Sequence, residues 1–78
     1  MEHEGIEYEF SRGSDIVRDG MFLELNIANT NPLKQLAEIF YSDITHKFTV
    51  NCMASDIPLI VFEQFIEIAK RNLPPMTK

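Results

Sequence analysis

The spacing of apolar residues changes along this 78-residue chain. Ile6-Glu7-Tyr8-Glu9-Phe10 alternates strictly, the period of a strand with one buried face. Ile6, Tyr8 and Phe10 then face a core, and Glu7 and Glu9 face away. Met21 to Ala28 repeats the pattern, with Met21, Leu23, Leu25 and Ile27 on one side and Phe22, Glu24 and Asn26 on the other. Phe48-Thr49-Val50-Asn51-Cys52 reads as a further strand. From Leu59 onward the period becomes helical. Leu59, Phe62, Phe65, Ile66, Ala69 and Leu73 cover one broad face, and Glu63, Gln64, Glu67, Lys70 and Arg71 cover the other. Asp56 suits an N-cap, Pro58 lies near the first helical position, and Pro74-Pro75 stops the helix.

The connecting segments are polar. Residues 1–5 read as a loose terminus. Ser11 to Gly20 holds two glycines, two serines and two aspartates and reads as a loop in which Ile16-Val17 docks locally. Asn29-Thr30-Asn31-Pro32 is a turn cluster. Residues 33–41 carry two patterns at once. Leu33, Leu36, Ala37 and Phe40 form a helix stripe, whereas Ala37, Ile39 and Tyr41 alternate with Leu36, Glu38 and Phe40 as in a strand.

Length and composition narrow the class. Seventy-eight residues make one domain, residues 1–78, with a modest core. The apolar share of 45% and the charged share of 24% are those of a globular chain. Twelve acids against seven bases leave −5, the wrong sign for binding nucleic acid. The acidity is polarised: residues 1–45 carry nine acids and three bases, whereas residues 46–78 carry three acids and four bases. One cysteine, Cys52, excludes an internal disulfide. There is neither an apolar run long enough to span a membrane nor a secretory leader, so the expected location is cytoplasmic.

Reactive chemistry has little to build on. Glycine-rich phosphate loops, nucleophile elbows and paired-cysteine metal spacings are missing, so neither an enzyme, a cofactor nor a metal is expected. His3, between Glu2 and Glu4, lies in the polar terminus, and His46 falls in a turn. Cys52 falls on the core face of its strand, where a thiol acts as a small hydrophobe.

Several runs together resemble a known group. Asp19 to Leu25, Ala37 to Thr45, Lys47 to Val50, Asp56 to Leu59, Phe65 to Lys70 and Leu73 to Pro75 resemble small bacterial proteins built as a sheet plus a C-terminal helix. Some of these are immunity proteins, the antidotes of polymorphic toxin systems. The resemblance covers roughly residues 19–75 and carries no catalytic residues. It implies tight binding that blocks a toxin, and it favours a strand over residues 35–41, paired with 47–53 through Ser42–His46.

The expected architecture is then α+β: a four-stranded antiparallel meander with one C-terminal helix packed on one face, in two layers. Ile6, Tyr8, Phe10, Met21, Leu23, Leu25, Ile27, Ala37, Ile39, Tyr41, Phe48, Val50 and Cys52 would lie beneath the helix. Glu7, Glu9, Glu24 and Glu38 would project from the opposite face, with Phe22, Leu36 and Phe40 among them. Acids around exposed aromatics suit a protein partner of opposite charge, a basic toxin domain. The expected function is therefore non-enzymatic inhibition of a cognate toxin, with Glu7, Glu9, Glu24 and Glu38 steering and Phe22 and Phe40 anchoring. A homodimeric structural protein, or a phage inhibitor of a host defence nuclease, are the alternatives.

Overall fold

A computed structural model describes residues 1–75. Five strands form one antiparallel meander: β1 (Glu2–His3), β2 (Ile6–Asp15), β3 (Gly20–Ile27), β4 (Lys34–Ser42) and β5 (Phe48–Cys52). One helix follows, α1 (Leu59–Asn72), and packs on one face of the sheet. The α+β meander matches expectation; the strand count does not.

The fifth strand comes from the N-terminus, which is not loose. Glu4 and Gly5 both take positive φ, the requirement of a tight two-residue hairpin, and His3 pairs with Ile6 across it. The terminal amine donates to the Tyr8 carbonyl and pairs with Glu7 at 2.8 Å, and Tyr8 N–H donates to the Met1 carbonyl. Ser11 to Gly20 is likewise not a loop. Its first half extends β2, in register with β3 as far as Asp15 opposite Gly20. Only Ile16 to Asp19 turn. There the Asp15 carboxylate accepts the Arg18 N–H, and Asp19 takes a φ of 53°. The glycines and serines that signal a loop are small residues in a long strand, and Ile16 and Val17 do not dock: they are 87% and 93% exposed.

Residues 34–42 form a strand, so of the two patterns in this stretch the alternation prevails over the helix stripe. Its register slips opposite Leu25 and Asn26, which pair with Ala37 and Gln35 and leave Leu36 between them. Such a bulge breaks strict alternation. Leu36 is therefore buried rather than on the outer face, and its carbonyl accepts N–H groups from Met53 and Ala54.

The helix begins after Pro58, whose carbonyl accepts the Val61 and Phe62 N–H groups. Asp56 takes a left-handed φ of 60° and makes no side-chain cap. Val61, Phe65 and Ala69, four residues apart, are fully buried, with Leu73 just beyond. Leu59, expected in the stripe, is largely exposed. Phe65 stacks on Phe10 at 6.2 Å and leans on Phe62 at 5.9 Å. Tyr8, Leu23, Leu25, Leu36, Ala37, Ile39 and Tyr41 complete the core. A single helix covers the central strands and leaves the margins bare. Ile6 at one corner and Phe48, Val50 and Cys52 on β5 are exposed rather than buried.

Candidate functional site

The sheet face opposite α1 has no covering element among the described residues. Its residues follow from strand parity and register. Ser11, Glu24, Glu38 and Asn51 form one row across β2 to β5. Gly13, Phe22, Phe40 and Thr49 form the next. Glu9, Asn26 and Gln35 form a third. Phe22 therefore lies directly opposite Phe40, and Glu24 directly opposite Glu38, as adjacent cross-strand pairs.

The aromatic rings are held by glycines. A Cβ on Gly13 would run into the Phe22 ring, so that ring lies over Gly13. A Cβ on Gly20 would run into the Phe40 ring and the Tyr41 carbonyl. Phe40 thus lies over Gly20, and both rings tilt toward β2. Each glycine lets an aromatic flatten onto the sheet, which leaves Phe22 and Phe40 half-buried rather than standing into solvent.

Two like-charged carboxylates in register are unfavourable, and Arg18 relieves half of that. From the β2–β3 turn its guanidinium reaches back over the face and donates to both Glu38 oxygens, at 3.3 and 3.0 Å. Nε donates to Asp15. The same group sits 4.2 Å from the Phe40 ring centroid, a cation–π contact. Glu38 is the first cause holding the Arg18 guanidinium above its ordinary pKa, with Asp15 second. In return, hydrogen bonds from Arg18 hold the Asp15 carboxyl below its ordinary value.

This arrangement divides the expected site. Glu7, Glu9, Phe22, Glu24, Glu38 and Phe40 do share the helix-free face. Glu7, however, is paired with the terminal amine at the β1 corner, and Glu38 is paired with Arg18. Among the described residues Glu9 and Glu24 have no ion-pair partner. Phe40 lies beneath Arg18, whereas no cation of the described residues stacks on Phe22. Arg18 was not legible as a member of the site, because it acts across twenty residues from inside a turn. Asn26 belongs to the third row by register, yet it is covered by its neighbours. It is fully buried, and neither side-chain amide atom has a hydrogen-bond partner among the described residues.

The apolar tips add a second feature. The β2–β3 and β4–β5 turns lie at the same end of the meander, joined by the Asp43 N–H donating to the Asp19 carbonyl. Ile16, Val17 and Ile44 project there, largely exposed.

The two histidines and the cysteine are scattered. His3 lies in β1, 3.8 Å from Glu4. His46 is exposed in the β4–β5 turn, edge-on to Tyr41. Cys52 is exposed on the far edge, not packed as a core hydrophobe.

The fold and face together define a small α+β domain with one acidic, aromatic-centred sheet surface. No protein-family model, curated protein or solved structure matches the chain. No helix among the described residues is long and apolar enough to cross a membrane.

Proposed function

We propose that this chain is a non-enzymatic inhibitory binding protein that neutralises a basic partner protein stoichiometrically, as an immunity protein neutralises its cognate toxin. One observation carries the reading. Arg18 occupies a ready-made arginine seat formed by Glu38 and Phe40, and Glu24 with Phe22 repeat that seat on the neighbouring strand without an arginine of their own.

A guanidinium stacked on an aromatic face and forked onto a carboxylate is a favourable mode of arginine recognition. The two seats lie in the same two rows, so an arginine of a partner would meet Phe22 and Glu24 as Arg18 meets Phe40 and Glu38. Glu9 adds charge beside this seat and favours encounter with a positive surface. Ile16, Val17 and Ile44, at the adjoining end, supply apolar contact area. Occupying the substrate-binding surface of a basic toxin is inhibition without chemistry by the inhibitor.

The test begins with capture of partners from the source organism's lysate at low and high salt, identified by mass spectrometry. The captured protein is then titrated against Glu24→Lys and Phe22→Ala. Each change should weaken binding about tenfold or more, and Glu24→Lys should also flatten the salt dependence. Folded variants that bind as tightly as the unaltered chain would remove this face from the argument.

A further inference from the structure

We infer that two copies of this chain join through β5, antiparallel and centred on Val50, to make one continuous sheet. The inference rests on the edge opposite the N-terminal strand and is independent of the arginine seat.

The hydrogen-bond phase of β5 fixes which groups are free. Ser42 N–H donates to the Lys47 carbonyl, and Met53 N–H donates to the Leu36 carbonyl. In an antiparallel ladder, hydrogen-bonded positions recur every second residue. Residues 47, 49, 51 and 53 therefore bond toward β4. Phe48, Val50 and Cys52 turn their N–H and C=O groups to the open edge. A twofold axis through Val50 pairs Val50 with the partner's Val50 and Phe48 with the partner's Cys52. Every outward N–H of this stretch then meets a carbonyl, so the strand is in phase with its own copy.

The side chains agree with the backbone. Phe48, Val50 and Cys52 all point to the α1 side, and Phe48 and Val50 are 39% and 50% exposed. With Ile39, Ile66, Ala69 and Lys70, Phe48 and Val50 border an apolar groove of about 230 Å³ between β5 and the helix. Phe62 lines a hollow with Cys52. Pairing the two edges extends both helix-covered layers and closes the groove from its open side.

Backbone phase and the lack of charge at this edge together favour a second copy as the occupant. The chain carries −5, so two copies repel unless they meet where charge is lacking. Phe48 to Cys52 contains no charged residue, proline or bulge, the devices that blunt an edge. The opposite edge has such devices: β1 covers its start, and Glu9, Arg12 and Asp15 punctuate the rest. The register also sets Lys47 against the partner's Met53, so no like charges face each other at the ends. Two five-residue edges with their apolar side chains bury on the order of 500 Å² per chain, near the lower bound of specific interfaces. The dimer is therefore a concentration-dependent one. The axis is perpendicular to the sheet, so both acidic outer faces lie on the same side.

Two measurements on the unaltered chain decide this. Light scattering across a dilution series should show mass doubling as concentration rises. Amide hydrogen exchange at high concentration should protect Phe48, Val50 and Cys52 together with Thr49 and Asn51, and dilution should release only the first three. Val50→Lys should remain monomeric with an unchanged far-ultraviolet spectrum, since that side chain is already half-exposed. A constant monomer mass, or free exchange of the Val50 amide in a sample of doubled mass, would overturn the inference. If Val50→Lys does not fold, the exchange pattern of the unaltered chain still decides.

Discussion

Phe65 offers a quantitative check on how this domain holds its helix. The side chain is fully buried and touches both layers, stacked on Phe10 of β2 and tilted against Phe62 of its own helix. Replacing it with alanine removes the ring and leaves a void between rigid neighbours, a change that costs about 3–5 kcal/mol. A domain of this length has roughly 4–12 kcal/mol in all, at about 0.05–0.15 kcal/mol per residue. Phe65→Ala should therefore remove at least about a quarter of the total stability, whereas Phe65→Leu should lose ~1–2 kcal/mol and stay folded. Urea unfolding followed by far-ultraviolet circular dichroism reads both, with the slope as a check on two-state behaviour. Performed at one low concentration, the assay keeps association out of the comparison. A cycle with Phe10→Ala, built on the Phe65→Leu background, should show coupling of ~1 kcal/mol between the two rings. A loss below about 1 kcal/mol for Phe65→Ala, with an unchanged slope, would refute the reasoning that this buried ring ties the two layers together.

Two further predictions concern the turn and the glycines. Because Arg18 lowers the Asp15 pKa, the folded chain holds that proton less tightly than the unfolded chain. The linked stability is present above the ordinary carboxylate pKa of about 3.9 and is lost as pH falls through the lower folded value. Nuclear magnetic resonance titration of Asp15 should show this, and Arg18→Gln should return the midpoint toward the ordinary one. Gly20→Ala should destabilise by ~2 kcal/mol or more, because its Cβ meets the Tyr41 backbone as well as the Phe40 ring. Gly13→Ala should cost less in thermal unfolding, since only the movable Phe22 ring stands in its way.

Much of this molecule was written in local pattern. Alternation at 6–10, 21–28 and 48–52 placed strands, and the helical spacing after Pro58 placed the helix. Both are period arguments that need only the neighbouring residues. Local pattern does not reach the places where structure is set by partners distant in sequence. Ser11 to Asp15 carries loop residues, yet pairing with β3 holds it extended. Residues 1–5 are polar, yet the Tyr8 carbonyl and Glu7 capture the terminal amine. Leu36 changed faces because one bulge shifted the register.

The helix-free face shows the same division. Parity alone put Glu7, Glu9, Phe22, Glu24, Glu38 and Phe40 on one side, since a strand offers only two. It gave no account of which acids remain free. That depended on where a turn sends the Arg18 side chain and where the terminus docks.

Wherever the ladder is regular, the sequence by itself determined the faces: which residues turn toward a helix and which away, because side-chain direction repeats with backbone period; Leu36, at the bulge, is the exception. Only the tertiary structure decided coverage. One fourteen-residue helix buries the middle of a five-stranded sheet, so Leu23, Leu25 and Ile39 became core while Phe48 and Val50, equally apolar and on the same face, stayed at an open edge. Burial is a property of neighbours, and the neighbours of a strand are fixed by its place in the sheet.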